Sequence, residues 1–398
     1  MIPISIRYAF RPVQRSLATG LVADLFGLTG DEPDHIVAEN VSLDIRAGDV
    51  VLFTGPSGSG KSSLLRAAGR QLAAIDAMAL DIPEVPIIDA LPGPIERRLE
   101  LLSACGLAEA RLLVRTPGEL SDGQRYRFRL ALAISTDEPW LSADEFAAYL
   151  DRTAAKVLAF NLRRLATRMG VGLLLATAHD DLTADLRPDL LVTCHGDGVV
   201  EQTRDATARD RRPISFAGEL HIEEGKLADW SAFARGHYRG GRPACVKRVV
   251  VLKHGATAVG ICVFAAPAAA LAVRSQYFGL SGPRTRLSLD ALNRQLWVLA
   301  RLVLHPTYRG AGIAARFVRQ VCRECPIDWI EALSAMGHAN PVFERAGFTR
   351  VGIVSSASRT TAGGQFGRRG RRAHVPERHG EPVYYVFDNR KKLASGTP

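Results

Sequence analysis

The run Gly55-Pro56-Ser57-Gly58-Ser59-Gly60-Lys61-Ser62-Ser63 constrains this chain more than any other feature of it. Two glycines bracket four residues and are followed by Lys-Ser, the phosphate-loop pattern. The flanks agree: Val50-Val51-Leu52-Phe53 reads as a buried strand, and Ser63-Leu64-Leu65-Arg66-Ala67-Ala68 as the start of a helix. Glycines let the backbone curl until successive N–H groups point at phosphate oxygens. The helix N-terminus adds the positive end of its dipole. Lys61 is expected to reach the β- and γ-phosphates, and the Ser62 hydroxyl to ligate Mg²⁺. This arrangement predicts an α/β domain that holds a nucleoside triphosphate, with all nine residues contributing to the site.

The chain has 398 residues, enough for two domains, and 47% of them are hydrophobic, enough for substantial cores. A net charge of +10 suits a polyanionic partner such as nucleic acid, a nucleotide or coenzyme A, without choosing among them. The six cysteines show no paired framework, which fits a reducing cytosol. Cys322-x-x-Cys325 lacks the second ligand pair that a zinc site requires. The first residues carry no apolar core followed by a small-residue cleavage site. The longest apolar stretch, Val259 to Val273, is too short to span a bilayer and contains Pro267. A cytoplasmic protein without a membrane domain of its own is expected.

Further short patterns follow the phosphate loop in order. Leu120-Ser121-Asp122-Gly123-Gln124 precedes a helical run from Arg125 to Ile134. Trp140-Leu141-Ser142-Ala143-Asp144-Glu145-Phe146 reads as a strand ending in two carboxylates, and Leu150-Asp151-Arg152 comes next. A buried strand from Val171 to Ala176 ends in Thr177-Ala178-His179-Asp180. Five matches in this order resemble the nucleotide-binding domain of the ABC ATPase superfamily, over residues 1–205. The resemblance implies that Asp144 holds Mg²⁺, directly or through water, and that Glu145 polarises the attacking water as general base. His179 would contact the γ-phosphate. Ser121, Gly123 and Gln124 would complete the ATP site of a second copy, so a head-to-tail dimer formed in the presence of ATP is implied.

Two departures from the ABC pattern matter. Asp122 stands where the signature usually has Gly, bringing a carboxylate towards the incoming phosphate. No Gln occurs between residues 72 and 123, so the glutamine that joins ATP to a transporter's membrane partner is missing, and Asp89 is the expected occupant of its place. No membrane subunit is therefore expected. Tyr8 and Phe26 are the candidates for stacking on adenine.

Polar, charged sequence at 206–214 reads as a linker, and a second pattern begins at 215. Lys226 to His237 reads as helical, Val246 to Val263 as a hairpin turning at His254-Gly255, and Leu296 to Leu304 as a strand. Then comes Tyr308-Arg309-Gly310-Ala311-Gly312-Ile313-Ala314, a glycine turn leading into a helix with apolar residues at 313, 314, 317, 318, 321 and 322. Asn340-Pro341-Val342-Phe343-Glu344-Arg345-Ala346-Gly347-Phe348 reads as a short helix ending in Gly-Phe. Together these resemble the coenzyme A motifs of the GNAT N-acetyltransferases, an α+β fold, over 215–398. On that resemblance Arg309, Gly310, Ala311, Gly312, Ile313 and Ala314 cradle the pyrophosphate of acetyl-CoA or another acyl-CoA, and Asn340 lies near the pantetheine. Many relatives place a tyrosine acid at the position of Phe343. Tyr308, Glu331, Ser334, Tyr384 and Tyr385 are the candidate substitutes.

Residues 359–379 include Gly-Gly-Gln-Phe-Gly-Arg-Arg-Gly-Arg-Arg, a basic stretch that reads either as a contact for the phosphate backbone of nucleic acid or as a solvated basic loop. The whole chain resembles an ABC-type ATPase fused to an acetyltransferase domain. The second half is also similar to Mom-type DNA-modification proteins, through His237-Tyr238, Ala335-Met336-Gly337 and Pro382-Val383-Tyr384-Tyr385. His237, Tyr238 and Tyr385 are thus candidate acceptor-site residues. The expected function is an ATPase that gates acyl transfer. The alternative is an ATP-switched binding regulator whose GNAT fold has lost its chemistry.

Overall fold

A computed structural model describes residues 1–9, 16–28, 34–237, 241–283, 285–354 and 381–390. Its contacts divide the chain into Met1–Ser215 and Phe216–Pro398. The first unit runs β1 (Ile2–Tyr8), α1 (Leu17–Phe26), β2 (His35–Leu43), β3 (Val50–Thr54), α2 (Lys61–Gln71), β4 (Ile75–Asp76), α3 (Ile95–Ala104), α4 (Ala110–Leu113), α5 (Asp122–Ser135), β5 (Trp140–Ala143), α6 (Arg152–Met169), β6 (Gly172–Ala176), α7 (Thr183–Leu186), β7 (Leu190–Gly196) and β8 (Val199–Arg204).

Strands β3, β5 and β6 are buried along their length because helices cover both faces of their sheet. The strand order is β4-β5-β6-β3-β7-β8, parallel except for β8. Alternation along β3 divides the core in two. Val50 and Leu52 face a cluster with Leu130, Leu158 and Leu173, while Val51 and Phe53 join Leu64, Leu174 and Val192. A separate antiparallel ribbon, β1–β2, lies beside α2. The helical sequence from Ile95 to Val114 is interrupted: Gly106 adopts φ +78° and separates α3 from α4.

Residues 206–214 correct the linker expectation. Their polar composition hides two buried apolar anchors, Ala208 and Ile214. Arg209 reaches the buried carboxylates of Asp189 (3.0 Å) and Asp49 (3.4 Å). The Ser215 amide and hydroxyl each lie 2.7 Å from the Asp185 carboxylate. The stretch belongs to the first unit.

The second unit runs β9 (Leu220–Glu224), α8 (Trp230–Phe233), β10 (Val246–His254), β11 (Thr257–Ala265), α9 (Ala272–Phe278), α10 (Arg286–Gln295), β12 (Leu296–Leu304), α11 (Ile313–Glu324), β13 (Trp329–Ser334), α12 (Val342–Ala346), β14 (Thr349–Ile353) and β15 (Val383–Asp388). Its sheet has the order β14-β15-β13-β12-β11-β10-β9. Every pairing is antiparallel except β12–β13, the pair that α11 connects by a crossover. These two parallel strands share register only from Leu296 to Val298, opposite Trp329 to Glu331, and their ladder then stops. Helix α11 packs Ile313, Phe317, Val318, Val321 and Cys322 inward, as its apolar spacing predicts.

Candidate functional site

The phosphate loop follows β3, between the flanking strands β6 and β7. Gly55 has φ +132° and Gly60, the N-cap of α2, φ +94°. Space matters as much as torsion: a Cβ on Gly55 would overlap the Cys194 carbonyl oxygen, and one on Gly60 would overlap Val37 of the ribbon. Burial pushes the Cys194 thiol up to about 11. Lys61 Nζ donates to the carbonyls of Gly55 (2.8 Å) and Pro56 (2.6 Å). The buried Ser59 hydroxyl has no partner among the described residues, as suits a group whose acceptor is a phosphate oxygen.

Ser62 and Asp144 come together as the pattern predicts. The Ser62 hydroxyl donates to Asp144 Oδ1 at 2.9 Å. One helical turn on, Arg66 pairs with Asp144 Oδ2 at 3.2 Å. Sequence reasoning passed over Arg66, although its spacing of four from Ser62 puts both on one face of α2. A hydroxyl and a carboxylate converging at a helix N-terminus are hard oxygen donors that fit Mg²⁺.

Glu145 is exposed and lies in the left-handed region, with φ +50°. The turn after it is fastened from two sides: the Phe146 amide donates to Ala176 (2.6 Å), and the Ala147 amide to the Tyr126 hydroxyl (3.0 Å). Backbone held in a sparsely populated region by its surroundings is common where a side chain must be aimed. His179 follows β6, and its amide donates to Thr177 Oγ1 at 3.2 Å. Thr54, at the end of β3, donates to Asp180 at 2.6 Å, which holds this segment beside the phosphate loop.

Ser121 caps α5 in a reciprocal box with Gln124, whose amide reaches Ser121 Oγ (3.4 Å) while its side chain accepts from the Ser121 amide (3.0 Å). Gly123 is required by closeness, because a Cβ there would press on Leu150 and the Tyr149 carbonyl. The Asp122 side chain is 89% exposed and 3.6 Å from Arg125, so its charge faces outward at the helix start. Tyr8 sits beside the site, its hydroxyl 2.9 Å from Ser63 Oγ. Asp89 lies exposed in a turn.

In the second unit Arg309 Nε donates to the Leu304 carbonyl at 2.9 Å, and Gly310 and Gly312 take φ +93° and +77°. Gly312 caps α11, Ala311 lies in the turn before it, and Ile313 and Ala314 are the first two residues of the helix. Asn340 spends its side-chain oxygen on the Val342 amide (3.1 Å), starting α12. Phe343 is buried between Phe348 and Tyr385.

Several expected acid or acceptor residues turn out to be core. Tyr385 is fully buried, with its hydroxyl 2.9 Å from Glu344 and 3.1 Å from the Gly337 carbonyl, which corrects its place at an acceptor site. Glu331 holds Arg274 in a two-pronged buried pair at 2.7 and 2.8 Å, and accepts from Tyr384 at 2.9 Å. Burial, with the neighbouring carboxylates, pushes both tyrosine hydroxyls well above their ordinary range. His237 packs edge-on against Trp230, at 5.7 Å between ring centres. Tyr238 and residues 359–379 lie outside the described residues. Cys322 and Cys325 are buried, their thiols raised by desolvation, and no group of three metal-ligating side chains occurs among the described residues.

A family profile described as "ABC transporter" matches residues 38–79. The lipoprotein-releasing system ATP-binding protein LolD of Novosphingobium aromaticivorans is 30% identical over 232 residues, covering 48% of this chain and 96% of that protein. LolD of Paramagnetospirillum magneticum is 33% identical over 192 residues, covering 38% of this chain and 84% of that protein. The sulfate/thiosulfate import ATP-binding protein CysA 2 of Chromobacterium violaceum is 30% identical over 243 residues, covering 52% and 63%. Among solved structures, a dimeric post-hydrolysis state of the ATP-binding cassette MJ0796 with ADP and Pi aligns at 19% identity and TM-score 0.35, covering 50% of this chain and 98% of that one. These relatives match 38–52% of the chain. Among the described residues, no helix is long and apolar enough to cross a membrane.

Proposed function

The chain belongs to the ABC family of ATP-binding proteins, and from that premise we propose that its ATPase half switches a fused acyl-CoA-dependent transferase half. The observation that carries the first part is the Ser62–Asp144 contact, which brings the phosphate loop and the carboxylate end of β5 to one point. Lys61 neutralises the β- and γ-phosphates, and the loop amides hold them. Mg²⁺, held by Ser62 and Asp144, would screen the charge between the transferred phosphoryl group and its leaving oxygen. Glu145 takes a proton from the attacking water, and His179 holds the γ-phosphate in line. The capped start of α5, with Ser121, Gly123 and Gln124, serves the ATP of a second copy, giving a head-to-tail dimer.

Three features support the acyl-CoA reading of the second unit. They are the glycine turn at the N-terminus of α11, the single parallel pair whose ladder stops after Val298, and the Gly347-Phe348 end of α12. An extended amide-containing arm fits beside a strand whose ladder has ended, and a pyrophosphate fits the turn. The amine acceptor is proposed to be nucleic acid, on the composition of 359–379. The missing transporter glutamine supports a protein that works without a membrane subunit.

A second reading has its own support. Phe343, Glu331, Tyr384 and Tyr385 are all engaged in the core, which favours a unit that binds acyl-CoA without transferring the acyl group. Lys61→Ala and Glu145→Gln should each reduce ATP turnover at least tenfold; unchanged turnover in both overturns the ATPase assignment of these residues. Calorimetry with acetyl-CoA tests the second half: binding that disappears in Gly312→Val supports the site, and no binding by the unaltered chain removes it. Acyl transfer to DNA or RNA, followed by mass, separates the transferase from the binding regulator.

A further inference from the structure

Immediately before the second glycine turn, Tyr308 is joined through His254 to Glu219, a chain of side chains that the turn's own sequence does not announce. Tyr308 is nine-tenths buried, and its hydroxyl is 2.8 Å from His254 Nδ1. On the other side of the ring, His254 Nε2 is 2.9 Å from the Glu219 carboxylate. Phe216 stacks on the imidazole, with centres 5.0 Å apart and planes 19° from parallel, and meets Tyr308 edge-on at 5.9 Å. The order of donors and acceptors is self-consistent. The phenol donates to Nδ1, which fixes the proton on Nε2, and Nε2–H donates to the carboxylate.

We infer that Glu219, His254 and Tyr308 form a positioning relay that sets the backbone of the phosphate-binding turn Arg309–Ala314 for the diphosphate of an acyl-CoA, an inference that rests on the acyl-CoA reading above. The turn needs such support. Two of its residues, Gly310 and Gly312, take positive φ and have no side chain to pack. Its amides can favour a bound anion only if they are already aimed. Tyr308 is covalently next to Arg309, so whatever fixes the phenol fixes the entry to the turn. The three relay residues come from three elements: the start of the unit, the end of β10 and the segment after β12. They bind these elements together at the entry to the turn. None of them is offered as a group that touches the acyl donor.

The test uses the full chain and three variants: Tyr308→Phe, His254→Leu and His254→Gln. Hydrogen exchange is followed on the peptide covering 306–316, with and without acetyl-CoA, alongside melting temperature and ATP turnover. Tyr308→Phe and His254→Leu should each speed exchange of the turn amides about tenfold and weaken acetyl-CoA binding about tenfold, because both remove the part-buried Tyr308–His254 hydrogen bond. His254→Gln keeps an acceptor for the phenol and a donor for Glu219, and should restore both. ATP turnover should stay at the unaltered level. Turn exchange identical to the unaltered chain in Tyr308→Phe and His254→Leu overturns the relay. If the unaltered chain binds no acetyl-CoA but exchange still responds, the relay stands and the acyl-CoA reading falls. Should His254→Leu fail to fold, Tyr308→Phe, which removes a single oxygen, carries the decision.

Discussion

Glu331→Gln is expected to melt the second unit early rather than to slow a chemical step. Glu331 and Arg274 are 1% and 2% exposed, and among the described residues each charge has only the other to balance it. Tyr384 donates to the same carboxylate, and Arg274 Nη1 donates to the Ala268 carbonyl at 2.7 Å. The glutamine removes the negative charge while the guanidinium stays charged and buried. Breaking such a pair by removing one partner costs about 3–5 kcal/mol. For a unit of this size each kcal/mol lowers the melting temperature by about 2–4 °C, so a fall of roughly 6–20 °C is expected. Calorimetric melting of the single variants and of Arg274→Met with Glu331→Leu forms a cycle. The double variant should regain most of the loss, because a buried pair contributes little net stability over apolar packing. A Glu331→Gln protein that melts like the unaltered chain but transfers acyl groups slowly would refute this reasoning and make Glu331 an acid or base.

Asp122→Gly should strengthen dimer formation in ATP, measured by sedimentation in a Glu145→Gln background, because it removes an exposed carboxylate from the helix start meant for phosphate; dimers in neither protein would sink the head-to-tail reading. Burial pushes the Asp189 carboxyl up, but hydrogen bonds from Arg163, the Val50 amide and Arg209 outweigh it and hold the group below its ordinary range. A carboxyl depressed in the folded state adds stability that is present above about pH 4 and is lost as pH falls through the folded value. Urea midpoints followed downward from pH 5 should therefore drop less steeply in Asp189→Asn than in the unaltered chain, and parallel curves would show that Asp189 contributes nothing.

The ordered motifs of the first half were legible because each is local: a glycine turn, a capped helix start, a strand ending in carboxylates. The strand spans Val50–Thr54 and Leu296–Leu304 and the short helix before Gly347 were legible for the same reason. What stayed hidden was long-range. Tyr8 meets Ser63 across 55 residues, and His254 meets Tyr308 across 54, with no spacing rule to announce either. No motif covers helices α9 and α10, between β11 and β12, so Arg274 and its partner Glu331 were not paired in advance. Glu331 and Tyr384 looked like free chemistry because a sequence shows functional groups but not the side chains that occupy them. The 206–214 stretch misled for the opposite reason: most of its residues are exposed, and the two that anchor it are small in number.

That last stretch decides where the chain can be divided. Trimming after residue 205 would strip Asp189 and Asp49 of their Arg209 partner, uncover the sites of Ala208 and Ile214, and leave Asp185 without Ser215. A severed ATPase half made that way would carry damaged seams and misreport its own durability. Trimming between Ser215 and Phe216 leaves Ser215 with Asp185 on one piece, and Phe216 and Glu219 with His254 on the other, so each half keeps the clasp that belongs to it.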